Sequence, residues 1–377
     1  MFAPGPTGES RDGKVRAEQN EPEIEPRRPV NVGARDLRIE TRFIDRASDR
    51  GDDQHREQND RQFKRRKKFE DRVALPGRLL SRIAVCHLWI DTFSEVARRF
   101  NSGVCPMVAE SVATIPVAGA RIAYRRIGSG RPLVMLNGLA ATSVDWDPSF
   151  VDGLASANEL VLLDNRGIGA STDNGEPFDI ARLADDTSRV IEALGFERAS
   201  VLGWSLGGFI AQVLALRRPV LVEKLVLLST DPGGPDARLA SPAVRSQLID
   251  MSGTPHEQAR RLLSLLFPGD LAESIYDKFG DIVAAARGRL SPDLVRRQAA
   301  AMDEWHRDGV SSRLADVNVP VLVAAGTEDI VIPASNALAL VKAIPGAWLA
   351  PFKGGGHAFM AQYPRPLADL INAFLAL

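Results

Sequence analysis

One serine placed between glycines constrains the fold of this chain more than any other feature. Residues 203–208, Gly-Trp-Ser-Leu-Gly-Gly, follow a short apolar run and lead into an apolar stretch with helical spacing over 206–216. We therefore predict that Ser205 lies on a turn that joins a buried strand directly to a helix. A turn this tight holds the serine in a strained backbone conformation, and it requires Gly203 and Gly207 where a Cβ would collide with neighbouring chain. The pattern is typical of an exposed nucleophile.

Strand and helix patterns alternate from Ser111 to the end of the chain. Two short apolar segments open this region as an antiparallel pair, and later apolar runs predict buried strands. The predicted strands cover residues 112–116, 121–127, 131–137, 159–164, 200–203, 224–230, 319–326 and 347–352, and the predicted helices cover 180–194, 206–216, 334–343 and 365–377. This alternation predicts an α/β domain with a mostly parallel central sheet, helices on both faces, and ligands bound outside the carboxyl ends of the strands.

Residues 231–315 interrupt this alternation. They carry helical patterns without a clear strand, and they are too long to be a simple connection. We predict a helical lid, inserted between two strands of the sheet, that covers the carboxyl edge. Its leucine-rich segment, Leu262 to Phe267, fits the wall of an apolar acyl pocket and fits ordinary core packing equally well.

The first 106 residues differ from the remainder in composition. They contain 22 Lys and Arg and 18 Asp and Glu, and no apolar period survives for long before residue 77. Such a segment cannot bury enough apolar surface to offset its chain entropy, so we predict that residues 1–106 form a mostly disordered extension with one amphipathic helix over 78–100. Residues 107–377 are predicted to form the folded domain. Translation that begins at Met107 is the alternative explanation of this boundary.

Several partners and locations are disfavoured by the sequence. The basic run Lys64 to Lys68 is flanked by acids and lacks a nucleic-acid reader motif, so we expect a solvated charged segment and no nucleic-acid partner. The apolar run over 83–90 is too short to span a bilayer and begins too late for a secretory signal, so we expect no membrane insertion. Both cysteines, Cys86 and Cys105, precede the predicted domain. The domain therefore contains no cysteine nucleophile or cysteine-ligated metal, which fits a cytoplasmic location.

A serine hydroxyl becomes a strong nucleophile only when a base removes its proton, and the usual base is a histidine oriented by a carboxylate. The predicted domain contains three histidines. His256 and His306 fall within the predicted lid, where surface or packing roles are expected. His357 ends the run Gly354-Gly355-Gly356-His357, a glycine-rich loop after the last strand that can turn the imidazole toward the carboxyl edge. We predict His357 as the base, with an exposed loop histidine as the alternative.

Asp329 is the candidate carboxylate. It follows the predicted strand over 319–326 in the sequence Gly-Thr-Glu-Asp, which places it beyond the carboxyl end of that strand. The adjacent Glu328 is expected to point in a different direction, so Asp329 is favoured, with a helix-capping or turn role as its alternative. The resulting chain order of Ser205, Asp329 and His357 is the order associated with a nucleophile elbow on an open α/β sheet.

Acyl transfer also requires donors for the oxyanion of the tetrahedral intermediate, and backbone amides can supply them. The Leu206 N–H lies at the start of the predicted helix, where the helix dipole favours negative charge. The second candidate is the Leu139 N–H, in the loop after the strand that ends at Asn137. Gly138 precedes it and lets the backbone approach the reacting atom.

Taken together, these motifs resemble those of the α/β-hydrolase family over essentially all of the predicted domain. The segment Asp164 to Ser171 is similar to the family's loop after the fourth strand, in which the Asp and the Arg have structural roles. The chain has Asn137-Gly138 where many relatives have His-Gly, a change that keeps the amide donor. The loop through Leu139 with Trp146, together with residues 203–208, is similar to the small-molecule esterase and 3-oxoadipate enol-lactonase branch.

The sequence predicts a serine hydrolase that cleaves a small or medium ester or lactone through an acyl-serine intermediate. Ser205 would attack the carbonyl of a small-molecule acyl substrate, His357 would transfer the proton, and Asp329 would orient the imidazole. No metal or organic cofactor would be required. Carbon–carbon bond hydrolysis and cofactor-free haloperoxidase or perhydrolase chemistry are alternatives on the same triad. A non-catalytic ligand-binding module is an alternative from another class.

Overall fold

The computed structural model describes residues 112–377, which form an α/β structure built on one eight-stranded sheet. The predictions for residues 1–106 lie outside the described residues. These are the disordered extension, the helix over 78–100, the basic run, the apolar run over 83–90, the two cysteines and the boundary at Met107.

The central sheet is mostly parallel. Its strands are β1 (Ala113–Val117), β2 (Ala120–Gly128), β3 (Arg131–Leu136), β4 (Asn158–Leu163), β5 (Ala199–Trp204), β6 (Val222–Leu228), β7 (Val321–Gly326) and β8 (Trp348–Phe352). Their spatial order is β1-β2-β4-β3-β5-β6-β7-β8. Strand β2 is antiparallel to its neighbours β1 and β4, whereas every other pair is parallel. The predicted antiparallel opening pair and mostly parallel sheet are confirmed.

Ten α-helices occur within residues 112–377. They are α1 (Pro148–Ala155), α2 (Ile180–Ala193), α3 (Leu206–Arg217), α4 (Pro242–Ile249), α5 (Pro255–Leu266), α6 (Gly269–Arg287), α7 (Pro292–Asp308), α8 (Ser335–Ala343), α9 (Phe359–Gln362) and α10 (Pro364–Ala376). One face of the sheet is covered by α2, α3 and α8, and the other face is covered by α1 and α10. Helices therefore lie on both faces, as predicted.

The continuous apolar runs of the sequence reflect burial on two sides. All six residues of β7 are buried, and β3 and β6 are buried along most of their length. Every residue of α3 from Leu206 to Ala215 is also buried, because this helix lies between the sheet and the helices around it. Helix α3, which directly follows Ser205, is thus enclosed on all sides over these ten residues.

Helices α4 to α7 lie between β6 and β7, within the segment predicted to form the lid. No strand occurs there, and the helix starts have clear caps, such as the reciprocal hydrogen bonds between Thr254 and Glu257 at α5. Helix α7 packs Leu294 and Trp305 into the same apolar cluster as α3. The leucine-rich end of α5 contributes to two separate groups of apolar side chains. Leu263 belongs to the group that includes α1 and α10, and Leu265 belongs to the group that includes α2, α3 and α8.

Helix α1 has no counterpart in the sequence prediction. It is only eight residues long and contains Gly153, so its apolar pattern is weak. Its start is well defined because Pro148 occupies the first turn and Asp147 Oδ1 accepts a hydrogen bond from the Phe150 N–H at 3.0 Å. Among residues 112–377, no helix has both the length and the apolar character needed to cross a bilayer.

Candidate active site

Ser205 lies at the turn between β5 and α3 with φ of 55° and ψ of −121°. Non-glycine residues rarely adopt this left-handed region, so the turn is strained. A Cβ at Gly203 would overlap the backbone of Gly207, and a Cβ at Gly207 would overlap the Leu136 carbonyl group of β3. Both positions therefore require glycine because the chain passes too close for any side chain.

Two hydrogen bonds from β6 and its continuation hold the backbone of Ser205. The Ser205 N–H donates to the Leu228 carbonyl at 3.0 Å, and the Thr230 hydroxyl donates to the Ser205 carbonyl at 3.0 Å. Thr230 also fills the space beside Gly208, where a Cβ would collide with its side chain. These contacts stabilise the strained conformation from outside the turn.

His357 and Asp329 form a buried pair. His357 Nδ1 lies 2.8 Å from Asp329 Oδ2, and both side chains are almost fully buried. Asp329 Oδ1 accepts hydrogen bonds from the Val331 and Ile332 N–H groups at 2.9 and 2.8 Å, which fixes the carboxylate plane. Neighbouring Glu328 is exposed. A carboxylate at Nδ1 selects the tautomer whose Nε2 is free to accept a proton.

The glycine-rich loop before His357 packs tightly against β7 and the lid. A Cβ at Gly326 would collide with the Gly355 carbonyl, and a Cβ at Gly356 would collide with the Leu266 carbonyl at the end of α5. The same Leu266 carbonyl accepts a hydrogen bond from the Ala358 N–H at 3.1 Å. The position of His357 is thus fixed by the sheet on one side and by α5 on the other.

Trp204 connects the serine turn to His357. Its ring centroid lies 5.4 Å from that of His357, and its Nε1–H donates to the His357 carbonyl at 3.0 Å. Because Trp204 directly precedes Ser205, this contact brings the two ends of the candidate triad to the same edge of the sheet. Sequence reasoning did not identify Trp204 or Thr230 as site residues, since their partners are far away in the chain.

The predicted oxyanion loop follows β3 and lies beside the serine. A Cβ at Gly138 would lie 3.3 Å from the Ser205 Cβ, so the loop passes the serine at van der Waals distance. Leu206 is the first residue of α3, and its N–H therefore has no partner within the helix. Two residues beyond Gly138, Ala140 has a φ of 57°, and its N–H donates to the side chain of Gln298 in α7. The loop is thereby held by the lid.

A second, partly buried acid–base pair lies in the segment predicted to form the lid. His306 Nε2 lies 3.2 Å from Asp231 Oδ2, and Trp305 Nε1 donates to Asp231 Oδ1 at 3.0 Å. The His306 ring also packs edge-on against Phe209 of α3. His256, by contrast, is exposed, with Asp281 as its nearest carboxylate at 3.8 Å. Neither histidine is part of the Asp329–His357 pair.

Buried charge around the loops is mostly paired. Asp164 accepts hydrogen bonds from the backbone of Ser143 and Ala170, and Arg166 forms a bidentate ion pair with Asp186. These contacts tie together the loops after β3 and β4. Within residues 112–377, no group of three or more His, Cys, Asp or Glu side chains is arranged to hold a metal ion.

Comparison with known proteins agrees with this architecture. The family model described as alpha/beta hydrolase fold matches residues 131–362. RutD of Azorhizobium caulinodans, whose name assigns it provisionally to carbamate hydrolysis, is 29% identical over 258 residues, which are 68% of this chain and 95% of RutD. The esterase RhEst1 from Rhodococcus sp. is 26% identical with a TM-score of 0.61, over 71% of this chain and 98% of RhEst1.

A third relative shares the fold alone. The meta-cleavage product hydrolase CumD from Pseudomonas fluorescens has a TM-score of 0.63 at 19% identity, over 70% of this chain and 97% of CumD. The family match covers more than half of the chain and includes the strands and loops that carry Ser205, Asp329 and His357. The family resemblance inferred from the sequence is therefore confirmed, and this chain belongs to the alpha/beta hydrolase fold family.

Proposed function

We propose that this chain is a serine hydrolase that cleaves small or medium esters or lactones through an acyl-serine intermediate. The observation that carries the proposal is the buried pair of His357 and Asp329, 2.8 Å apart, at the sheet edge where Ser205 lies in a strained turn. A strained serine at the same sheet edge as an oriented imidazole fits nucleophilic catalysis better than a purely structural role.

The acylation step follows from the chemistry of these groups. The Ser205 hydroxyl oxygen attacks the substrate carbonyl carbon while its proton passes to His357 Nε2. The carbonyl oxygen becomes an oxyanion, for which the Leu206 and Leu139 N–H groups are the proposed donors. Collapse of the tetrahedral intermediate expels the alcohol, which takes the proton from His357. No metal or organic cofactor is required for these steps.

Deacylation repeats the same steps with water. His357 removes a proton from a water molecule, the resulting oxygen attacks the acyl carbon, and Ser205 leaves with the proton returned by His357. Asp329 orients the imidazole and stabilises the imidazolium that forms twice in each cycle. Its two backbone hydrogen bonds keep the carboxylate in the plane that this role demands.

The relatives support hydrolysis of an acyl group. RhEst1 is named as an esterase, and the name of RutD refers to a carbamate, in which the carbonyl carbon also bears a heteroatom leaving group. Both bonds can be cleaved through an acyl-serine intermediate. Carbon–carbon bond hydrolysis on the same triad is the second candidate; CumD, which is named as a meta-cleavage product hydrolase, shares only the fold with this chain.

A substrate panel tests the proposal. We expect the purified chain to hydrolyse p-nitrophenyl esters of short to medium acyl length, with S205A losing nearly all turnover while it keeps its fold by circular dichroism. Carbamate, lactone and vinylogous 1,5-diketone substrates in the same panel separate the ester function from carbamate and carbon–carbon hydrolysis. Full ester turnover by S205A, or turnover of the diketone alone, would contradict the proposal.

A further inference from the structure

Gln298 is a fully buried polar residue that connects the lid to the predicted oxyanion loop. Its side chain Oε1 accepts a hydrogen bond from the Ala140 N–H at 2.8 Å, although the two residues are 158 positions apart in the chain. Glutamine is seldom fully buried without a specific partner, because its amide loses hydrogen bonds to water on burial. The contact therefore indicates a role for this side chain beyond core packing.

The helix that carries Gln298 is firmly attached to the rest of the structure. The adjacent Arg297 forms an ion pair with Asp173 in the loop after β4, and Trp305 stacks on Phe209 of α3 with ring centroids 4.9 Å apart. Helix α7 is thus held in place, and the hydrogen bond from the Ala140 N–H to Gln298 links the loop to this helix.

The loop needs such support because Ala140 has a left-handed backbone conformation, with φ of 57°. An alanine pays a steric penalty there, and the conformation persists only when contacts from outside hold it. The other end of the loop is anchored at Asn137, whose carbonyl accepts from Asn165 and whose side chain donates to the Thr142 carbonyl. Leu139 lies between these two anchors, so its N–H direction depends on both.

The second polar atom of the Gln298 side chain has no partner among residues 112–377. Its Nε2 is buried and donates no hydrogen bond, which costs stability. A leucine would remove the unpartnered Nε2 but would leave the Ala140 N–H without its acceptor. The Oε1 contact with the Ala140 N–H is therefore the interaction by which this buried amide can serve the loop.

We propose that Gln298 is a positioning residue that fixes the oxyanion loop from the lid, so that the Leu139 N–H points at the developing oxyanion. This inference rests on the proposed serine hydrolase function, because it assigns the loop a role in acyl transfer. Gln298 acts through Ala140 and not on the substrate carbonyl itself.

Hydrogen exchange of the full-length chain tests the contact independently of activity. In Q298L the Ala140 N–H loses its acceptor, so the peptide that covers residues 138–142 should exchange faster than in the wild type while other peptides stay unchanged. In Q298E an oxygen acceptor remains, and exchange should stay close to the wild-type rate. Unchanged exchange of this peptide in Q298L would overturn the proposal.

Kinetics with p-nitrophenyl butyrate test the consequence for catalysis. We expect kcat of Q298L to fall about tenfold to hundredfold, which does not exceed the fall in kcat caused by the loss of one oxyanion donor. In Q298E, part of the lost kcat should be recovered. The affinity for phenylboronic acid, which forms a tetrahedral adduct on a catalytic serine, should weaken by a similar factor. A merely structural role would lower the unfolding midpoint without this parallel loss.

The matched control is Q258L. Gln258 is another buried lid glutamine, but its Nε2 donates to the Met251 and Gly253 carbonyls and makes no contact with the oxyanion loop. Q258L should lose stability and keep its kcat. An equal kcat loss in both variants, or none in Q298L, would overturn the proposal. An inactive wild-type chain would contradict the proposed function instead, and the exchange measurement would still decide whether Gln298 holds the loop.

Discussion

At the scale of single residues, the candidate site contains a serine in a strained backbone conformation and an aspartate whose two oxygens each have a hydrogen-bonding partner. The left-handed conformation of Ser205 is held by Thr230 and by the Leu228 carbonyl, and Asp329 has a distinct partner for each oxygen. The strained conformation of Ser205 is maintained because hydrogen bonds from β6 and the residues after it hold the backbone in place. This is the pattern expected where function, and not stability, selects a conformation.

Asp147 provides a residue-scale prediction on pH. Burial raises the pKa of its carboxyl from the ordinary value of 3.8 to about 6, against the hydrogen bonds from the Phe150 and Ser149 backbone that lower it. Between pH 3.8 and 6 the folded state keeps a proton on Asp147 that the unfolded chain releases, so the contribution of this group to stability is complete below pH 3.8 and is lost as the pH rises through 6. The loss amounts to about 3 kcal/mol above pH 7, at 1.36 kcal/mol per pKa unit.

D147N should remove this loss. Asparagine keeps the oxygen that caps α1 but carries no charge to bury. We expect D147N to be more stable than the wild type by about 1 to 3 kcal/mol at pH 7.5, and the difference to disappear near pH 4. Urea unfolding of both proteins at the two pH values measures it. A wild type that is as stable as D147N at pH 7.5 would show that Asp147 is ionised at no cost.

At the scale of elements, the turn from β5 to α3 requires glycine at position 207 because there is no room for a side chain, and not because of the backbone φ angle. The Leu136 carbonyl occupies the place where a Cβ at Gly207 would lie, and Gly207 does not have a positive φ. Gly195, at the end of α2, is the opposite case. Its φ is 76°, yet nothing lies within 4 Å of its Cβ position.

The two glycines therefore form a matched pair of variants. G207A should destabilise the fold by at least about 3 kcal/mol, because β3 and α3 must move apart to admit the methyl group. G195A should cost only about 1 kcal/mol, the penalty of a left-handed alanine. Denaturant unfolding of both variants measures the difference. Equal effects would mean that the close contact between β3 and α3 is not required.

The elements that the sequence predicted well are those with continuous apolar runs. Strands β3 to β7 and helix α3 are buried on two or more sides, so their hydrophobic patterns are unambiguous. Helix α1 was missed because eight residues with an internal glycine give too weak a pattern. Its capping residue Asp147 and the following Pro148 were the available signal.

The candidate site divides in the same way. The places of Ser205, Asp329 and His357 after strands of the sheet could be predicted, because each follows an apolar run, and glycines mark the serine turn and the histidine loop. The contacts of Trp204 and Gln298 could not be predicted, since they join residues 153 and 158 positions apart. Only the folded chain brings such partners together, and no local pattern records them.

At the scale of the whole described structure, three strand ends and two of the helices inserted between β6 and β7 meet at one edge of the sheet. The serine follows β5, the aspartate follows β7 and the histidine follows β8, while α5 and α7 contact the histidine loop and the oxyanion loop. Parallel strands bring their carboxyl ends to the same edge, which makes this convergence a property of the fold. The fold is common to the family, and the proposed chemistry depends on the residues that lie at this edge of the sheet.

Covalent labelling by a fluorophosphonate tests the central claim most directly, namely that Ser205 is a nucleophile activated by His357. We predict one phosphonyl adduct per chain, located by peptide mass spectrometry on Ser205, with no labelling of S205A and much slower labelling of H357A. An adduct on another residue, or labelling of S205A at the wild-type rate, would contradict the account.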